Sequence, residues 1–99
     1  MREGEGMIKV AEILDSEQKW CQWVEMDSAG RLCIIGAMRR AGLYDAPSAY
    51  QLFREAVREA TGVEWNHVGS WNDAPERTFE EVHAVACEID RLRMLRGEG

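Results

Sequence analysis

No run of apolar residues in this 99-residue chain approaches the ~18 that a membrane-spanning helix requires. The opening stretch, MREGEG, lacks the apolar segment of a signal peptide, so the expected location is the cytoplasm and no membrane partner is implied. Positive charge is scarce as well: 12 Lys and Arg stand against 18 Asp and Glu, a formal charge of −6. A general nucleic-acid binder neutralises phosphates with Lys and Arg, and that class is set aside. The basic spots that exist, Arg39 with Arg40 and Arg91, Arg93 and Arg96, are read as cations at helix C-termini, where the dipole favours them. Cysteine is limited to three residues, Cys21, Cys33 and Cys87. Three cannot all pair within one chain and their spacing matches no zinc pattern, so they are expected as free thiols.

Histidine is scarcer still, with two in the chain. A metal site built from His83 and Cys87, four apart on a helix, and a second pair from His67 and Cys33 would consume both. No metal and no cofactor is therefore expected. What remains is an ordinary soluble composition, 45% hydrophobic and 30% charged. A chain of this length buries roughly 65% of its unfolded surface, enough for one core.

The patterning predicts a mainly α protein: a compact four-helix single domain over residues 7–96, with flexible ends at 1–6 and 97–99. Met7, Val10, Ala11 and Leu14 lie at helical spacing and predict a first helix of two to three turns. Residues 20–34 predict a small hairpin or an irregular segment, turning at Asp27–Gly30 and joining Val24–Met26 to Leu32–Ile34. From Cys33 the chain reads as a helix that is apolar all round between Ile34 and Met38, the mark of an enclosed segment. Gly36 and Ala37 there permit close backbone approach. Gly42 with Leu43 predicts a Schellman ending on Met38. In the next helix Asp45 is the expected cap and Pro47 lies in the first turn. Ala49, Leu52, Phe53, Ala56, Val57 and Ala60 form its stripe, and Gly62 is its stop. Val63 to Arg77 reads as a long loop. Thr78 and Glu81 form a capping box before a last helix whose inward face is Val82, Val85, Ala86, Ile89 and Leu92.

Three constellations bear on function. Cys33 at a helix N-terminus, with His67 as base and Asn66, Asn72 or Asp73 to orient it, has the order found in papain-like cysteine hydrolases. Leu32, Ile34 and Ile35 around it predict a buried thiol instead, and no catalytic residues are favoured; a cysteine-dependent hydrolase or transferase stays as the alternative. Four tryptophans, Trp20, Trp23, Trp65 and Trp71, offer either an aromatic cage for a base, a cation or a proline, or large rings that fasten loops to the core through their N–H groups. The second use is preferred, with Trp71 anchoring its loop and Asn72 or Asp73 fixing the turn. The binding candidates are Trp65, His67, Trp71, Asn72 and Asp73, and a small-molecule or nucleotide binder at the Trp65–Trp71 loop is a further alternative. Finally, Leu92, Met94 and Leu95 give the last helix apolar surface on more than one side, which fits a homodimer contact or a partner groove.

Taken together, Trp20-x-Gln22, the turn at Gly30, CIIGAMRRA and WNDAPERTFEEV resemble a group of small proteins from actinobacteria and their phages. The resemblance extends from about Val10 to Ile89 and implies a small accessory or phage-encoded protein, without a reaction. The reading favoured is a non-enzymatic interaction module for a protein partner, such as a host factor or defence component.

Overall fold

Trp71, Phe53, Ile34, Ile89, Val10 and Val82 are wholly buried apolar side chains, and they come from each of the five helices among the described residues. The computed structural model describes residues 8–43, 47–65 and 67–95, with the backbone alone at 47 and 48. Five helices are present among these residues: α1 (Val10–Ile13), α2 (Ile34–Arg40), α3 (Pro47–Thr61), α4 (Val68–Asp73) and α5 (Phe79–Leu95). A short 3-10 turn at Glu17–Lys19 follows α1. The long helices α3 and α5 pack along each other, α1 packs on α5, α4 packs on α3, and α2 bridges α1 and α4. Burying one Val, Leu, Ile or Phe contributes about 1.5–3 kcal/mol, so the shared α3–α5 seam is the main source of stability.

The expected stripes are in place. Leu52, Phe53, Ala56 and Val57 on α3, with Val82, Val85, Ala86 and Ile89 on α5, are all buried; Ala60, expected on the α3 stripe, is exposed. Thr78 and Glu81 form the capping box, each backbone N–H donating to the other's side chain at 3.0 and 3.2 Å. The Schellman ending of α2 is also present: Gly42 has φ +89°, and the N–H groups of Leu43 and Gly42 donate to Met38 and Arg39 carbonyls.

Three expectations change. The first helix is a single turn: Leu14 already leaves the helical conformation, with φ −105° and ψ 61°, and the N–H groups of Val10 and Ala11 at the helix start are taken up by Asp90 of α5. The stretch read as a loop contains α4, so the helix count rises from four to five. The 20–34 region takes the irregular form: two isolated bridges meet at Leu32 and no strand develops among the described residues. The backbone of Glu25 crosses directly over α2, where a Cβ on Gly36 would lie 2.7 Å from the Glu25 carbonyl oxygen. Met7, Asp45, Asn66 and the two ends lie outside the described residues.

Two charged side chains lie on the inner stripe of α5 that the sequence reading left out. Asp90 accepts hydrogen bonds from the N–H groups of Val10 and Ala11, both at 2.9 Å. Arg93 was assigned to the dipole of its own helix. It does lie in the last turn of α5, and it is also buried and donates to the carbonyls of Ile8 and Ala41, so it ties the N-terminal segment and the end of α2 to α5.

Candidate functional site

Two segments fifty residues apart are joined by a set of polar contacts. Asn72, on the last turn of α4, has no solvent exposure. Its Oδ1 accepts from the indole N–H of Trp20 at 2.8 Å and from the backbone N–H of Ile34 at 3.0 Å. Its Nδ2 donates to the Cys21 carbonyl and to Asp73 Oδ1. Two donors and two acceptor positions are thus all used. Ile34 opens α2, so Asn72 satisfies a helix-terminal N–H that its own N-cap residue, Cys33, does not reach with its side chain. Gln22 closes the join, its Nε2 donating to the carbonyls of Asn72 and Ala74. Asn72 therefore binds across the molecule, where the sequence suggested a bond to its own turn.

The 63–77 stretch is fastened by its aromatic rings. Trp71 is buried edge-on against Phe53, with centroids 5.7 Å apart. The Arg77 guanidinium lies over Trp71 at 4.1 Å and over Trp65 at 5.5 Å. Arg77 Nε donates to the Trp71 carbonyl and Nη1 pairs with Glu81. His67 caps α4: its Nδ1 accepts the Ser70 N–H at 3.1 Å, which places the proton of the neutral ring on Nε2. The Trp65 indole N–H donates to the Ser70 hydroxyl.

Cys33 and His67 are not joined by a hydrogen bond in this arrangement. Cys33 is 6% exposed, and burial pushes its thiol above the ordinary range. The Nδ1 of His67 is taken by Ser70. Cys33 does form part of the wall of a recess of about 200 Å³, together with Trp23, Arg39, Asn72 and Asp73. His83 and Cys87 lie near one another on α5, Sγ to Nδ1 3.7 Å. No cluster of three or more metal-ligating side chains occurs among the described residues. Leu92 packs on the core, while Met94 and Leu95 are exposed at the end of α5.

Trp23 is the feature that the sequence did not disclose. It is 71% exposed and has φ +79°, making it the one non-glycine in the left-handed region among the described residues. A side chain in that conformation costs about 1–3 kcal/mol. Its backbone N–H donates to Asp73 Oδ1 at 2.7 Å, so the polar join holds the strained turn in place. Val24 and Met26 beside it are exposed as well. From Trp23 a groove of about 590 Å³ runs along Trp65, His67, Asp73, Pro75 and Glu76. Of the expected binding residues, Trp65, His67 and Asp73 therefore line one surface. Trp71 and Asn72 lie beneath it in the interior.

Residues 5–88 of the chain match the family described as "Family of unknown function (DUF6197)". The chain belongs to that family. No curated protein and no solved structure matches it.

Proposed function

We propose that this protein is a non-enzymatic interaction module that engages a protein partner through the face centred on Trp23. One observation carries the reading: a large aromatic side chain is held out in solvent on a strained backbone. Buried tryptophans contribute to stability by their area, and one that is mostly exposed returns little of it. Strain retained without a packing return is a feature of recognition and switch sites, and exposed tryptophan is among the commonest anchors of protein interfaces. Val24 and Met26 extend the apolar surface, and the groove toward Trp65 gives it a concave side. Acidic groups in that groove, Asp73 and Glu76, disfavour a nucleotide phosphate there.

The resemblance to small actinobacterial and phage proteins supports an accessory role in the cytoplasm. The exposed pair Met94 and Leu95 supports a second, smaller contact, by which two copies associate; light scattering at high micromolar concentration checks it, and a strict monomer removes it. The principal test is retention of a partner from host lysate by tagged protein and by its Trp23→Gly variant. A partner held by the wild type and by Met94→Ala, and lost by Trp23→Gly, is the expected result. A partner held equally by all three overturns the assignment of Trp23. Trp71→Ala is unsuitable for this purpose, since it empties the core beneath the surface.

A further inference from the structure

We infer that the ligand of the Trp23–Trp65 groove is an arginine- or lysine-bearing extended segment of the partner protein. This rests on the interaction-module reading and adds the chemistry of the occupant. Two tryptophan rings line the groove, Trp23 largely exposed and Trp65 with Arg77 over it, and Asp73 and Glu76 supply negative charge beside them. A cation over an indole is attracted by the ring quadrupole, and a nearby carboxylate adds to that attraction. The molecule already contains one instance of this chemistry, with the Arg77 guanidinium between Trp65 and Trp71. Arg77 beside the groove bonds to the Trp71 carbonyl and shares its charge with Glu81, while Asp73 and Glu76 are the acidic groups of the groove lining. Among the described residues the hydrogen bonds of Asp73 run to Oδ1, which leaves Oδ2 as the acceptor for a ligand. The chain's formal charge of −6 favours approach of a basic segment. The groove is broad and open rather than enclosed, a shape that suits an extended segment laid along it better than a single small cation.

The test titrates the full chain with a blocked pentapeptide holding two arginines around a leucine. Its di-citrulline counterpart has the same shape without charge, and its di-norleucine counterpart is apolar. Shifts of the indole N–H resonances, with Trp23 assigned from Trp23→Phe, report the site. The arginine peptide is expected to move the Trp23 and Trp65 signals and to bind at least about fivefold tighter than the citrulline peptide. Glu76→Gln, at an exposed position, should reduce arginine-peptide affinity severalfold and leave citrulline binding unchanged. Equal affinity for arginine and citrulline, tighter binding of norleucine, or no shift with millimolar peptide each overturns the cationic assignment. Movement of the Trp23 signal with protein concentration alone overturns it in favour of a second copy. None of these outcomes touches the Trp23→Gly retention experiment, so failure of the occupant's chemistry is separable from failure of the surface.

Discussion

At position 72 one amide takes the backbone of two segments, at Cys21 and Ile34, together with the Trp20 indole. Replacing Asn72 with Ala leaves the Ile34 N–H, the Trp20 indole and the Cys21 carbonyl without the partner they now have. A buried polar group without a partner costs about 1–3 kcal/mol. The variant is therefore expected to lose at least about 3 kcal/mol in chemical denaturation, and a loss below about 1 kcal/mol would show that the join is not structural. Gly36 follows a different rule. Alanine normally stabilises a helix by about 1 kcal/mol relative to glycine, yet here its Cβ meets the Glu25 carbonyl at 2.7 Å. Gly36→Ala is expected to destabilise, and a gain in midpoint would mean the 20–34 crossover is looser than it stands. The cysteines are distinguished by access. Cys87 is exposed, Cys21 and Cys33 are buried, and burial raises all three thiols. A bulky thiol reagent should find one fast site at neutral pH, Cys87. Rapid labelling of Cys33 in the folded protein would revive the cysteine-enzyme alternative.

The helices show how far pattern alone reaches. Where one apolar stripe meets one long helix, as in α3 and α5, the sequence announces both the element and its inward face. Local chemistry was equally legible: the Thr78–Glu81 box and the Gly42 ending depend on residues a few positions apart. The box also gives the protein a pH response. The Thr78 N–H, with help from Arg77, holds the Glu81 carboxyl below its ordinary range. That contribution is present above the ordinary glutamate range and is lost as pH falls through the lowered value. Glu81→Gln should flatten this part of the acid limb, and an unchanged limb would contradict the assignment. The illegible elements are those defined by partners remote in sequence. Helix α1 is held at its start by Asp90, which takes the Val10 and Ala11 N–H groups, and α4 starts on its His67 cap with Trp71 as its anchor. Trp23 resisted sequence reading for the same reason. Its backbone N–H is held by a carboxylate fifty positions away, and no periodicity encodes that.

Across the whole molecule, one compact globule with a radius of gyration of 12.6 Å is held together at its open end by Asp90 and Arg93. Asp90 is buried, and desolvation raises its carboxyl above the ordinary range even though the Val10 and Ala11 N–H groups and Arg93 oppose the shift. A carboxyl raised in the folded state contributes most when protonated. Its share of stability is full below about pH 3.9, the ordinary aspartate value, and declines as pH rises through the raised value. The stability of Asp90→Asn relative to wild type should therefore climb across that window, and a flat difference would contradict the burial argument. Two regions are thus proposed to have separate duties: the α5 ties and the Asn72 join keep the fold, and the Trp23 face is proposed for contact. That division is tested most directly by the denaturation midpoint of Trp23→Gly. Glycine accepts the positive φ without strain and keeps the N–H that Asp73 binds, so stability is expected to hold or to rise by up to about 1 kcal/mol. A loss of more than about 1 kcal/mol would mean that Trp23 serves the fold and not a partner.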